Sequence, residues 1–256
     1  NDAPALKAAT IGVAMGQRGT EVARESAEVV LLDYSFETIV AAVREVRRIY
    51  DDIRKFIRYT MTSNSGEIWV HVLAPLLGLP LPLLPLHILW INLVTDGLPG
   101  LALSAEPAER GVMRRKPRPP QESIFSQAMV LHILLVGLLI GGLTLATQAW
   151  TWQQGRDEWQ TMVFTVLVVA QLFHCLAIRS EHDSIFSVGF SSNPSLLLAL
   201  AITIAAQLAV IYVPAIAVIF KTVPLSATQL GACFAIGSIV FVAVEAEKWV
   251  RRQRRE

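Results

Sequence analysis

Long apolar segments constrain this sequence more than any other feature. Each is about 20 residues long, which is enough for a helix to cross the hydrocarbon core of a bilayer. They lie near residues 57–78, 84–103, 127–149, 160–179, 195–215 and 227–247. Of the 256 residues 53% are hydrophobic, and the net charge of +1 gives no indication of a nucleic-acid partner. The sequence therefore predicts a mainly α fold, a polytopic transmembrane helix bundle of about six spans in contact with the lipid bilayer.

Basic residues are concentrated in two places between and after these segments. The loop 104–126 and the tail 248–256 contain Arg110, Arg114, Arg115, Lys116, Arg118, Lys248, Arg251, Arg252, Arg254 and Arg255. The connections on the other side contain few, with only Arg156 in one and Lys221 in another. Because cytoplasmic loops carry an excess of Lys and Arg, we expect the loop, the basic tail and both termini of the chain to be cytoplasmic.

Polar side chains interrupt the first two apolar segments at positions that share helix faces. Asn64 and Glu67 are three residues apart in the first segment. Asn92, Thr95 and Asp96 follow the three/four spacing in the second segment. Carboxylate, amide and hydroxyl oxygens are ligands of hard cations, and a carboxylate at bilayer depth is costly enough to indicate function. The sequence predicts a cation site between two antiparallel helices; a Glu67–Asp96 pair that only fixes helix packing is the alternative.

Two residues that disfavour regular helix follow this cluster. Gly97 and Pro99 predict that the helix ends just past Asp96. Such a break would free main-chain groups beside a bound ion, as in the discontinuous helices of transporters. An ordinary kink is the alternative interpretation.

The first 34 residues have a different pattern from the apolar segments. They predict a helix over 3–9, a strand over 11–15, a helix over 20–27 and a strand over 29–32. Alternating strands and helices indicate the end of a parallel α/β domain. Two short units of this kind are too few for an independent core, so we expect the missing N-terminal part of the same chain to complete the domain.

A long amphipathic helix is predicted next, with Ser35 as its N-cap. Apolar residues recur at helical spacing from Ile39 to Ile57 and charged residues occupy the other side, which is typical of a soluble helix. Because no helix breaker separates this stalk, 35–57, from the first apolar segment, we predict one rod of about 40 residues and roughly 60 Å. The rod can couple a cytoplasmic domain to an intramembrane site; a simple helical linker is the alternative.

Five motifs occur in the order in which one known family carries them. The sequence reads NDAPALK at 1–7, IGVAMG at 11–16, TSNSGE at 62–67, LWINLVTDGLP at 89–99 and MRRKPRPP at 113–120. Together they resemble the C-terminal part of P-type ATPases of the calcium-pump branch, the reticulum and secretory-pathway type. The first two are similar to the end of the HAD-like, Rossmann-type phosphorylation domain, the next two to the fifth and sixth spans, and the last to the following cytoplasmic loop. The resemblance implies a pump of ten spans, of which this chain carries the last six.

The resemblance also implies roles for individual residues. Asn1 and Asp2 match residues that line the phosphorylated aspartate of the family. The positions that match the family's calcium ligands are Asn64, Glu67, Asn92, Thr95 and Asp96. Gln171 stands where the reticulum-type pumps carry a glutamate, and its amide oxygen can coordinate a metal ion without adding charge. The number of ions per cycle, one or two, stays open for that reason.

The family's reaction implies components outside this sequence. ATP, with Mg²⁺, phosphorylates an aspartate in a DKTGT motif, and neither that motif nor a nucleotide-binding domain occurs here. We therefore expect Mg²⁺ and ATP to be bound upstream, and the fragment alone to be inactive. The expected function is ATP-driven export of Ca²⁺, the transported cation, from the cytosol through a phosphoenzyme cycle, in a bacterial plasma membrane.

Three alternatives remain at this stage. The transported ion can instead be Mn²⁺ or Na⁺. The chain can be a non-catalytic membrane module that binds ions or another subunit, which a start codon near residue 1 would support. A transporter driven by an ion gradient is the third, although it leaves the α/β piece unexplained.

Overall fold

The computed structural model describes residues 2–16, 19–33, 35–109, 111–119, 122–181 and 183–253. Across these residues the chain forms two compact units, Asn1–Ile49 with Arg110–Arg115 and Tyr50–Glu109 with Lys116–Glu256. The first unit contains short strands and helices, and the second contains the long apolar helices.

The first unit has the four predicted elements. Helices α1 (Ala3–Ala8) and α2 (Glu21–Ser26) alternate with strands β1 (Val13–Met15) and β2 (Val29–Leu31). The two strands are parallel, with Val13 opposite Val29 in register. The Thr20 side chain accepts a hydrogen bond of 3.2 Å from the backbone N–H of Ala23, so α2 begins at a regular N-cap. The prediction of alternating strands and helices is confirmed, with each element slightly shorter than expected.

Helix α3 (Phe36–Leu76) is the predicted continuous rod. It has 41 residues, and the Ser35 hydroxyl accepts a hydrogen bond of 3.2 Å from the Glu37 backbone N–H at its start. At 1.5 Å per residue it is about 60 Å long. A single helix therefore contains both the predicted stalk and Asn64 and Glu67.

The charged side of α3 is largely buried between residues 50 and 58. Asp52 and Lys55 are 2% and 4% exposed, and Arg58 donates a hydrogen bond of 2.7 Å to Glu181. On the opposite side Phe56 is 41% exposed. The charged side of this stretch is therefore covered, because loops distant in sequence pack over it and supply ion-pair partners.

The remaining helices contain most of the apolar sequence. They are α4 (Pro85–Trp90), α5 (Gly97–Leu103), α6 (Gln127–Gln153), α7 (Trp159–Ala177), α8 (Ile185–Val188), α9 (Pro194–Tyr212), α10 (Pro214–Phe220) and α11 (Ala227–Gln253). A π-helical turn, Ile91–Thr95, joins α4 to α5, and 3₁₀ turns lie at Val112–Arg114 and Phe190–Ser192. The predicted span 195–215 ends earlier, at Tyr212, because Pro214 begins a new helix.

Five stretches in the described part of the chain are long and apolar enough to cross a membrane. They are Pro85–Leu103, Gln127–Gln153, Trp159–Ala177, Pro194–Tyr212 and Ala227–Gln253. The predicted span 57–78 lies in α3 as far as Leu76 and is not among them, because its polar side chains lower its mean hydropathy. The observed fold is a mainly helical protein with five candidate membrane helices.

Helix α7 lies at the centre of the second unit, with α6 and α11 packed against it. Two glycines one turn apart bring α6 close to α3: a Cβ on Gly141 would lie 2.8 Å from Trp69 Cβ, and a Cβ on Gly137 would lie 2.6 Å from Ser65 Cβ. Small residues at such spacing allow close helix contact. The close packing fixes the side of α3 that carries Glu67 relative to α6 and α7.

Candidate functional site

Glu67 of α3 accepts hydrogen bonds from two amide side chains, each on a different helical segment. The Gln171 amide of α7 donates a hydrogen bond of 3.2 Å to Glu67 Oε1, and the Asn92 amide of the π-helical turn donates one of 3.4 Å to Oε2. Glu67 is 7% exposed and Gln171 is fully buried. The structure therefore brings together residues 67, 92 and 171, which are far apart in sequence.

The second carboxylate, Asp96, is buried beside this group. It is 4% exposed and lies near the hydroxyl groups of Ser63 and Tyr59, close enough to Glu67 for the two carboxylates to interact electrostatically. Within the described residues neither Asp96 oxygen accepts a hydrogen bond of normal geometry. Two neighbouring carboxylates in a buried, polar-lined position indicate a place for a cation.

Other buried oxygens around the two carboxylates also lack partners among the described residues. They are Ser63 Oγ, Thr95 Oγ1 and Gln171 Oε1. Most buried polar atoms in proteins are hydrogen-bonded, so a group of exceptions in one region calls for an ion or ordered water. The oxygen-rich chemistry of this group suits a hard cation better than a soft one.

The helix carrying Asn92 and Thr95 is irregular before Asp96, not after it. The Asp96 backbone N–H bonds to Ile91 O at 2.8 Å, an i to i−5 hydrogen bond, whereas Gly100 N–H bonds to Asp96 O at 3.0 Å in ordinary α register. The prediction that regular helix ends past Asp96 is therefore wrong in position. A single π-helical turn is a common feature of functional sites because it changes the direction of side chains without ending the helix.

The remaining predicted site residues are placed differently. Asn64 is partly buried one turn before Glu67, and within the described residues it makes no hydrogen bond with the other predicted ligands. Asp2 lies in the first unit, exposed at the start of α1, where its main-chain oxygen accepts from Leu6 N–H at 2.9 Å. Asn1 lies outside the described residues.

Two residues near the carboxylates were missed by the sequence analysis. Ser63 is fully buried beside Asp96, and the Tyr59 hydroxyl donates a hydrogen bond of 2.7 Å to the main-chain oxygen of Thr95. The signal was present, since residues 59, 63 and 67 recur every four positions and share one face of α3.

Comparisons with known proteins match the sequence to one family over most of its length. The family model described as "Cation transporting ATPase, C-terminus" matches residues 80–250. A calcium-transporting ATPase of Bacillus subtilis is 46% identical over 229 residues, covering 88% of this chain and 26% of that protein. Human calcium-transporting ATPase type 2C member 1 is 38% identical over 259 residues, 99% of this chain and 28% of that protein. The probable cation-transporting ATPase F of Mycobacterium bovis is 38% identical over 256 residues, covering 99% of this chain and 28% of that protein.

The chain spans about a quarter of the length of these relatives. Its apolar helices and the family match make it part of an integral membrane protein. The chain belongs to the family of cation-transporting P-type ATPases and corresponds to their C-terminal part.

Proposed function

We propose that this chain supplies most of the intramembrane cation site of a P-type ATPase that exports Ca²⁺ from the cytosol. One observation carries the proposal: the Asp96 carboxylate is buried near Glu67, and neither of its oxygens accepts a hydrogen bond of normal geometry from the described residues, although the Ser63 and Tyr59 hydroxyls lie near it. A buried carboxylate without compensation is strongly destabilising, so its retention inside a helix bundle favours a bound cation as its partner.

The proposed ligands are Asn64, Glu67, Asn92, Thr95, Asp96 and Gln171. In the present arrangement the Asn92 and Gln171 amides turn their N–H groups towards Glu67. Rotation about the last side-chain bond exchanges the nitrogen for the oxygen of each amide, which would turn both oxygens to a cation held by the carboxylates. Such a set of flexible oxygens favours Ca²⁺ over Mg²⁺, which gives up its water reluctantly.

Energy for transport would come from ATP, through phosphorylation of the α/β part of the pump. The proposed division is 1–34 as the end of the phosphorylation domain, 35–57 as a stalk, 57–247 as the transmembrane domain and 248–256 as a cytoplasmic tail. Asp2 would lie near the phosphorylated aspartate, with Mg²⁺ and ATP bound by the upstream part. The stalk and Glu67 share helix α3, so movement of the stalk on phosphorylation would move one side of the cation site.

The direct test uses the complete pump with Glu67→Gln and Asp96→Asn combined. Ca²⁺-dependent phosphorylation from ATP is expected to be lost, because both charges that bind the cation are removed. Asp157→Asn, a change at an exposed carboxylate between α6 and α7, is the matched control and should leave the Ca²⁺ dependence unchanged. Undiminished Ca²⁺-dependent phosphorylation in the double variant would exclude this site.

Ion identity is tested in the same assay. One relative carries the name calcium-transporting ATPase and another only cation-transporting ATPase, so Mn²⁺ and Na⁺ are the alternative cargoes. Phosphorylation of the wild-type pump with each ion in turn ranks them. A wild-type protein that forms no phosphoenzyme with any cation would instead support a non-catalytic membrane module.

A further inference from the structure

One main-chain oxygen beside the carboxylates lacks its usual helix partner. In an α-helix the carbonyl of Thr95 would accept from the N–H of residue 99, but that residue is Pro99 and has no N–H. The next hydrogen bond, from Gly100 N–H, goes to Asp96 O at 3.0 Å. The Thr95 carbonyl therefore stays free to bind another donor.

Tyr59 supplies that donor from α3. Its hydroxyl lies 2.7 Å from Thr95 O, and both Tyr59 and Thr95 are fully buried. The Tyr59 ring packs beside Gly100, where a Cβ would lie at ordinary contact distance, 3.6 Å from Tyr59 Cδ1. A buried carbonyl without a partner is costly, so this hydrogen bond compensates for the helix hydrogen bond that Pro99 cannot make.

The Tyr59 ring also packs against a connected group of polar side chains. It stacks on His174 of α7 with ring centroids 6.0 Å apart and an interplanar angle of 24°. His174 Nε2 lies 3.2 Å from His132 Nε2, and His132 Nδ1 lies 2.7 Å from Glu247 Oε2. The tyrosine is thereby connected to α6, α7 and α11 as well as lying near the Asp96 carboxylate.

We infer that Tyr59 is a positioning residue for the proposed cation site, a role that rests on the proposed function. Its hydroxyl holds the Thr95 carbonyl that Pro99 leaves without a helix partner, so this oxygen is kept away from the cation. The same bond fixes the peptide between Thr95 and Asp96, and with it the direction of the Asp96 carboxylate. Tyr59 acts through this peptide and is not itself a ligand.

The test is a double-mutant cycle between Tyr59→Phe and Pro99→Ala in the complete pump. Tyr59→Phe should raise the half-saturating Ca²⁺ concentration for phosphorylation about tenfold, the value of one neutral hydrogen bond, with the maximal phosphoenzyme level unchanged. Pro99→Ala restores an N–H in register with Thr95 O. In that background Tyr59→Phe should shift the half-saturating concentration by less than about threefold.

The matched control is Tyr212→Phe. The Tyr212 hydroxyl donates a hydrogen bond of 2.8 Å to Leu225 O, the same type of bond at a distance from the carboxylates. This variant should leave the half-saturating Ca²⁺ concentration unchanged even if its thermal stability falls, which separates positioning from general loss of structure.

Several results would overturn the assignment. The first is that Tyr59→Phe leaves the half-saturating Ca²⁺ concentration at its wild-type value. The second is that Tyr212→Phe shifts this concentration as much as Tyr59→Phe does. The third is that Tyr59→Phe shifts it by the full amount even in the Pro99→Ala background. If Tyr59→Phe alone does not fold, recovery of folded protein on adding Pro99→Ala supports the role and failure to recover opposes it. A wild-type pump without cation-dependent phosphorylation would instead remove the proposed function, and this role with it.

Discussion

Arg179 and Glu106 form an ion pair that is almost completely buried, with 1% and 2% of their surfaces exposed. Arg179 Nη2 lies 2.8 Å and Nε 3.1 Å from Glu106 Oε1. The guanidinium also donates to Phe190 O at 3.0 Å, and the Asn193 amide donates to Glu106 Oε2 at 2.8 Å. Glu106 lies just past the end of α5, the helix that follows Asp96. Arg179 lies just past the end of α7, the helix that carries Gln171. The ion pair therefore joins the ends of these two helices.

Arg179→Met should therefore destabilise the protein by about 3–5 kcal/mol, because it leaves a buried carboxylate without its counter-charge. Thermal unfolding of the purified protein in detergent measures the change. Arg156→Met removes a guanidinium that donates to Gln154 and lies over the Trp150 ring, both near the exposed connection after α6, and should have little effect. Equal losses in the two variants would contradict the special role of the buried pair.

A second prediction concerns the contact between α3 and α6. Gly137→Ala should cost about 1–3 kcal/mol, because the added methyl group overlaps Ser65 and forces the two helices apart. Gly142→Ala on the same helix has nothing within 4 Å of the new Cβ and should be neutral or slightly stabilising. The two variants are compared by thermal unfolding, and an equal loss in both would show that the contact with Ser65 is not the cause.

The fold was predictable where local pattern determines it. The absence of a helix breaker from Ser35 onwards predicted the rod that the structure shows as Phe36–Leu76, and apolar length predicted the span helices to within a few residues at most of their ends. The buried charged side of α3 was not predictable, because its partner Glu181 lies 123 residues after Arg58. Periodicity identifies two sides of a helix but not which side distant loops will cover.

In the candidate site, too, local pattern predicted some features, whereas contacts between distant residues were not predictable. Helical spacing predicted the contact between Glu67 and Asn92, whose helices are neighbours in sequence. Helical spacing did not indicate the π-helical turn, nor the hydrogen bond that Thr95 O accepts from the Tyr59 hydroxyl of another helix. Likewise, the contact between His132 and His174 joins two helices, and helical spacing within either helix does not indicate it.

The two carboxylates should respond oppositely when made neutral in the cation-free protein. Asp96→Asn should stabilise it by about 1–3 kcal/mol, because the lost charge is buried beside a second carboxylate and accepts no hydrogen bond of normal geometry from the described residues. Glu67→Gln should destabilise it by about 1–3 kcal/mol, because two amide N–H groups then face an amide that accepts less well. Thermal unfolding in chelator at neutral pH checks both signs; a change in the same direction for both would oppose this account.

Gln171 allows the role of the proposed site to be tested in both directions. Gln171→Leu removes an amide that bonds to Glu67 and an oxygen available to a cation, so the half-saturating Ca²⁺ concentration for phosphorylation should rise about 10- to 100-fold. Gln171→Glu should lower it, because a third carboxylate destabilises the cation-free state and a bound cation relieves the repulsion. Gln148→Leu is the control: this fully buried glutamine bonds to Pro80 O at 2.7 Å, so its loss should reduce stability but not Ca²⁺ dependence. Equal shifts for the two leucine variants, or a weaker Ca²⁺ response in Gln171→Glu, would assign Gln171 to packing alone.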